Sequence, residues 1–152
     1  MSDSTFVYVI YIASTPEQLW EALTDGSQTK KYWFGREVRS DWTEGSDVSF
    51  LDGNGTAVDQ GKVLKIEPYR YLSYTFSWLE DKTLRQTAPV VTFELQPMAS
   101  IVKLTLKQDH LLPADFCDEK EGFYGFNNGW PAILSNLKSL LETGRTLPPI
   151  TV

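Results

Sequence analysis

Two hydrophobic periods divide this chain, and the change between them limits the fold more than any other feature. Three consecutive segments alternate with period two. Leu72, Tyr74, Phe76 and Trp78 alternate with Ser73, Thr75 and Ser77; Val91, Phe93 and Leu95 with Thr92, Glu94 and Gln96; Val102, Leu104 and Leu106 with Lys103, Thr105 and Lys107. Each reads as an antiparallel strand with one apolar and one solvated face. The last third then takes up a helical period. Phe126, Trp130, Ile133, Leu134, Leu137, Leu140 and Leu141 recur at spacings of three and four, which makes one apolar stripe. A one-sided sheet needs a cover, and the terminal helix is the only long element able to supply it.

The rest of the chain fits around that pair. Phe6 to Ile12 reads as a strand. Thr15-Pro16-Glu17-Gln18 carries an N-cap, a proline at the first helical position and a capping-box glutamine, so a short helix begins there. Leu19, Trp20 and Leu23 share its inner side, Asp25-Gly26 ends it, and a second helical turn is expected over Gln28 to Trp33. Further strands are predicted near 36–42, 46–51 and 57–67, with turns at Gly45 and at Asp52-Gly53-Asn54-Gly55. Gly144 and Pro148-Pro149 close the long helix. Pro131 lies inside it and costs about 3 kcal/mol. Burial of five large stripe residues gains, gross, on the order of 8–15 kcal/mol. The helix therefore survives, either kinked near Phe126–Trp130 or freshly started at Pro131. The predicted class is α+β, with Trp130, Leu134, Leu137 and Leu141 buried on the sheet.

Size and charge narrow the function. A chain of 152 residues suits one domain, here residues 1–152, and can bury roughly 68–70% of its unfolded surface. The net charge of −6 disfavours nucleic acid, and Lys30–Lys31 is the densest basic pair. One cysteine, no apolar run near 18 residues and no basic-then-apolar N-terminus lead to the expectation of a cytoplasmic protein without membrane insertion.

The familiar catalytic sets are missing. His110 is the only histidine, and it reads as a strand-end residue without evident partners. Cys117 near Asp115, Asp118 and Glu119 reads as loop decoration rather than a zinc site. The segment from Asp52 to Thr56 lacks the carboxylates at the first and twelfth positions of a calcium loop. No metal, cofactor or enzyme activity is expected, since the inward positions read almost wholly apolar. What remains is an excess of rings, five Trp, seven Tyr and eight Phe. Trp33, Tyr74, Phe76, Trp78, Phe126 and Trp130 stand on faces that converge under the last helix. Ordinary core packing accounts for any one of them. As a set they are candidate walls of a ligand cavity, with Tyr74 and Trp130 supplying polar handles.

Several segments also resemble a known family. Thr15-Pro16-Glu17-Gln18-Leu19-Trp20-Glu21-Ala22-Leu23-Thr24-Asp25 with Tyr32-Trp33 is similar to its opening, and Gly129-Trp130-Pro131-Ala132-Ile133-Leu134-Ser135-Asn136-Leu137 through Gly144 to its closing helix. Gly61-Lys62-Val63 and Leu72-Ser73-Tyr74-Thr75-Phe76 match its middle strands. The family is that of activators of heat-shock-protein-90 ATPase, within the SRPBCC superfamily of START-like and pollen-allergen-like domains. The resemblance implies a helix-grip fold, in which a curved antiparallel sheet of about seven strands wraps a long C-terminal helix over a hydrophobic cavity. It implies a small hydrophobic or lipid-like ligand as one partner and a chaperone as an alternative one. A cavity enzyme such as a cyclase is a third reading. The family has no shared catalytic motif, so no residue here inherits a catalytic role.

Overall fold

The computed structural model describes residues 4–81, 85–119 and 124–148. Strand β1 (Ser4–Ile12) leads into helices α1 (Pro16–Thr24) and α2 (Gly26–Tyr32). Strands β2 (Glu37–Ser40), β3 (Asp47–Leu51), β4 (Ala57–Glu67), β5 (Tyr71–Thr75), β6 (Ser77–Trp78), β7 (Val90–Met98) and β8 (Ile101–Leu111) follow. A 3-10 turn (Pro113–Asp115) and helix α3 (Phe126–Thr143) complete the order. The strands form one antiparallel sheet in the order β1-β8-β7-β5-β4-β3-β2, with β6 also on β4. This is the helix-grip arrangement.

Local chemistry places the helices. Thr15 caps α1 by accepting from the Gln18 amide at 3.1 Å. Asp25 ends α1 and at once caps α2, accepting from the Ser27 amide at 2.9 Å. The second helix therefore starts at Gly26, two residues before the expected Gln28, because one aspartate serves both ends. The buried Thr29 hydroxyl accepts from the Val38 amide at 3.0 Å and donates to the Arg36 carbonyl at 2.9 Å, which ties α2 to β2.

Period two holds across most of the sheet. Leu72 pairs with Phe93, Phe93 with Leu106 and Leu106 with Tyr8, so one inner row crosses four strands. The 72–78 segment departs from it. Strand β5 stops at Thr75, the Phe76 amide turns to the Pro89 carbonyl at 2.9 Å, and β6 resumes for two residues. Gly61 is the cause. A Cβ there would stand 1.6 Å from the Thr75 carbonyl oxygen, an approach that only glycine allows. Beyond the break Trp78 is half-exposed rather than continuing the inner row.

Helix α3 lays Trp130, Ile133, Leu134 and Leu137 on the core. Leu141, expected to be buried with them, is half-buried against the core's edge. Glu142 and Lys138 fasten this end of the helix to β1, through the Ala13 amide at 2.8 Å and the Tyr11 carbonyl at 2.7 Å. The helix is continuous from Phe126 through Pro131, so no new start occurs at the proline. Its first turn is held from outside. The Asn127 side chain accepts from the Cys117 amide at 3.0 Å and donates to the Cys117 carbonyl at 2.9 Å. Gly125 precedes it at φ +86, where a Cβ would meet the Cys117 nitrogen at 2.6 Å.

Candidate functional site

Between the end of α2, the β5–β6 break and the first turns of α3 lies a cavity of about 490 Å³ that opens to solvent. Trp33, Phe76, Trp78, Phe126 and Trp130 border it. Tyr74 does not, lying fully buried beneath them in the core. Trp33 caps the C-terminal end of α2, and the left-handed Phe34 and Gly35 that follow turn the chain back toward β2. The Trp33 and Trp130 rings meet edge to face with centroids 5.2 Å apart, and Phe76 lies 6.4 Å from both. Phe50 and Phe93 back this group from the sheet, at 4.8 Å from Trp33 and 6.0 Å from Trp130. Aromatic pairs in such offset and edge contacts form a stiff wall.

Polar groups that the alternation alone did not bring forward complete the site. Asp59 of β4 lines the cavity and is 8% exposed. Arg36, from the α2–β2 loop, brings its Nε to 4.0 Å from the Asp59 carboxylate. Burial raises the Asp59 carboxyl from 3.8 to about 6, and Arg36 opposes that rise. On the outer wall Arg85 donates to Asp81 at 2.7 Å and grips Asp115 with two nitrogens, Nη1 at 2.8 Å and Nη2 closer still. These bonds, with Asp115 foremost, hold the guanidinium charged. Asp115 also accepts from the Leu112 amide at 2.7 Å.

Beneath the rings, the Trp130 indole donates to the side-chain Oε1 of Gln108 at 2.7 Å. Gln108 is fully buried on the inner row of β8. Among the described residues its Nε2 and the Tyr74 hydroxyl meet no hydrogen-bond partner. The expectation of almost wholly apolar inward positions therefore fails on β4 and β8. Parity held the signal: Asp59 shares its face with Val63, and Gln108 follows Val102, Leu104 and Leu106.

Of the residues set aside earlier, Asp115 lines the outer wall, whereas His110, Cys117 and Asp52 fall outside the cavity. His110, the last residue but one of β8, has a left-handed φ of 63 and is not without a partner. Cys117 is half-buried and bound through its backbone to Asn127. No group of three or more metal-binding side chains occurs among the described residues. Asp52 makes a hairpin turn, accepting from the Asn54 and Thr56 amides at 2.8 and 3.0 Å. A second depression, by Thr24, Arg39, Trp42 and Lys62, is wider but mainly polar and lies away from the ring cluster. No helix among the described residues is long and apolar enough to cross a membrane.

Known proteins give the family. Protein MLL2253 from Mesorhizobium loti is 27% identical, with a TM-score of 0.73 over 91% of this chain and 97% of its own. ChR145 from Cytophaga hutchinsonii is 25% identical, with a TM-score of 0.69 over 95% and 97%. An HSP90 activator from Plasmodium falciparum, at 21% identity and a TM-score of 0.69 over 90% and 95%, shares the fold. No curated protein matches the chain. The model of the family described as "Activator of Hsp90 ATPase homolog 1-like protein" matches residues 13–142, and the chain belongs to that family.

Proposed function

We propose that this domain binds a small hydrophobic molecule in the cavity between its sheet and its terminal helix. The observation that carries this reading is the ring-walled space itself. A volume of about 490 Å³ lies within the range of small-molecule sites, and ring side chains make up much of its lining, with Asp59, Arg36 and the Arg85 cluster as its charged groups. Trp33 and Trp130, at 4% and 2% exposure, are positioned to report on an occupant. Apolar aromatic probes are expected to quench tryptophan emission and to raise the melting temperature with concentration, because they bind the folded state alone. Filling the space with Ile133→Trp is expected to abolish both effects in a chain that still melts cooperatively. Unchanged emission and melting in the wild type would refute the reading.

A second reading has support in the family description and in the fold shared with the Plasmodium HSP90 activator. In it the domain stimulates a chaperone ATPase through a surface contact. It is tested by adding the domain to purified heat-shock-protein-90 ATPase. Stimulation that survives Ile133→Trp would assign the activity to a surface rather than to the cavity.

A further inference from the structure

Resting on the cavity-binding reading, we propose that Asp59 is the polar anchor of the cavity. Its occupant is an apolar molecule carrying a neutral hydroxyl, of phenol or alcohol type, rather than a carboxylate.

Three observations carry this. First, the Asp59 carboxylate lines the cavity at 8% exposure, yet no described residue donates a hydrogen bond to it. Its nearest cation, Arg36, stands at 4.0 Å, beyond hydrogen-bond distance. A carboxylate held mostly away from bulk water with no protein donor is relieved by a donor that enters. Second, among the described residues the cations lining the cavity already stand against carboxylates. Arg85 spends its donors on Asp81 and Asp115, and Arg36 faces Asp59. An incoming carboxylate would meet the negative charge of Asp59, and the nearest guanidinium, Arg36, already offsets that charge. Third, Arg36 partly offsets the Asp59 charge, which weakens the case for a cationic head and leaves a neutral donor as the better fit. The rings of Trp33, Phe76 and Trp130 then hold the apolar body beside that donor.

The test uses three probes with one apolar body: 2-naphthol, 2-methoxynaphthalene and 2-naphthoate, titrated calorimetrically into the whole chain at neutral pH. Wild type is expected to bind the naphthol about tenfold or more tighter than the methyl ether, the range of a hydrogen bond to a charged group. It is expected to bind the naphthoate most weakly. Asp59→Leu removes the acceptor and is expected to bring naphthol and ether within about twofold of each other. Asp59→Asn keeps the shape and adds a donor, so the naphthoate should gain on the naphthol. Asp59→Asn also carries the test if the leucine variant does not fold. Equal binding of naphthol and ether by wild type, or a preference untouched by either substitution, overturns the anchor and leaves the cavity reading standing. Binding of none of the three probes overturns both.

Discussion

At the scale of single residues, Asp59 holds a position that weakens the fold. The unfolded carboxyl loses its proton near 3.8, while the folded one keeps it to about 6. Between those values the native state binds the extra proton, so stability falls as pH rises and stays lowered above the upper value. The gap corresponds to about 3 kcal/mol at most, with Arg36 already opposing the penalty of burial. Asp59→Asn should therefore melt higher than wild type at pH values above about 6 and show little difference near pH 4. Thermal scans at both ends check this, and an equal difference at both would contradict it. Trp130 and Gln108 make the opposite case, a buried polar pair that supports the fold. Trp130→Phe keeps a ring but strips the donor from the Gln108 Oε1, with an expected loss of about 1–3 kcal/mol in denaturant unfolding. Both acid and amide were legible as polar residues on apolar parity. What parity did not reveal is that the indole would hydrogen-bond one of them while the other has only Arg36 beside it, at 4.0 Å.

At the scale of elements, glycines and a single asparagine decide where regular structure stops. The 72–78 run alternates without fault, and nothing within it announces the break after Thr75. The reason lies on the neighbouring strand, where Gly61 admits the Thr75 carbonyl. Gly61→Ala must separate β4 from β5 or expel Thr75, at an expected loss of about 2–4 kcal/mol. Equilibrium unfolding checks it, and a neutral result would show that the two strands yield easily. The start of α3 is similar. Phe126 to Leu141 was readable as one stripe, but the stripe could not tell a kinked helix from one begun at Pro131. Asn127 resolves it by bracketing Cys117 with two hydrogen bonds that secure the turn before the proline. Asn127→Ala is expected to lose about 1–3 kcal/mol and to loosen the wall carrying Phe126. Hydrogen exchange of the Cys117 amide should quicken with it. The N-cap of α1 at Thr15 and the hairpin at Asp52 were legible because their chemistry is local, although the Gln18 side chain accepts from the Ser14 hydroxyl at 3.1 Å instead of closing a capping box.

For the whole molecule, the change of period specified a sheet gripping a helix, and the paired segments at the two ends specified the family. Neither could specify how far the helix fills the space. That depends on where α2 ends, how β5 breaks and how α3 begins, three local events that together leave Trp33, Phe76, Phe126 and Trp130 around a void rather than in contact throughout. Tyr74 shows the limit of the sequence reading, since it shares parity with Phe76 but sits one layer deeper. The account stands on that void accepting a guest. The most direct measurement follows the five tryptophan indole signals in a ¹H–¹⁵N spectrum during titration with naphthalene. Trp33 and Trp130, which wall the cavity, should shift and saturate together, while Trp20, packed on Tyr69 outside the ring cluster, stays in place. Indole signals of Trp33 and Trp130 that remain fixed up to the solubility limit of the probe would contradict it.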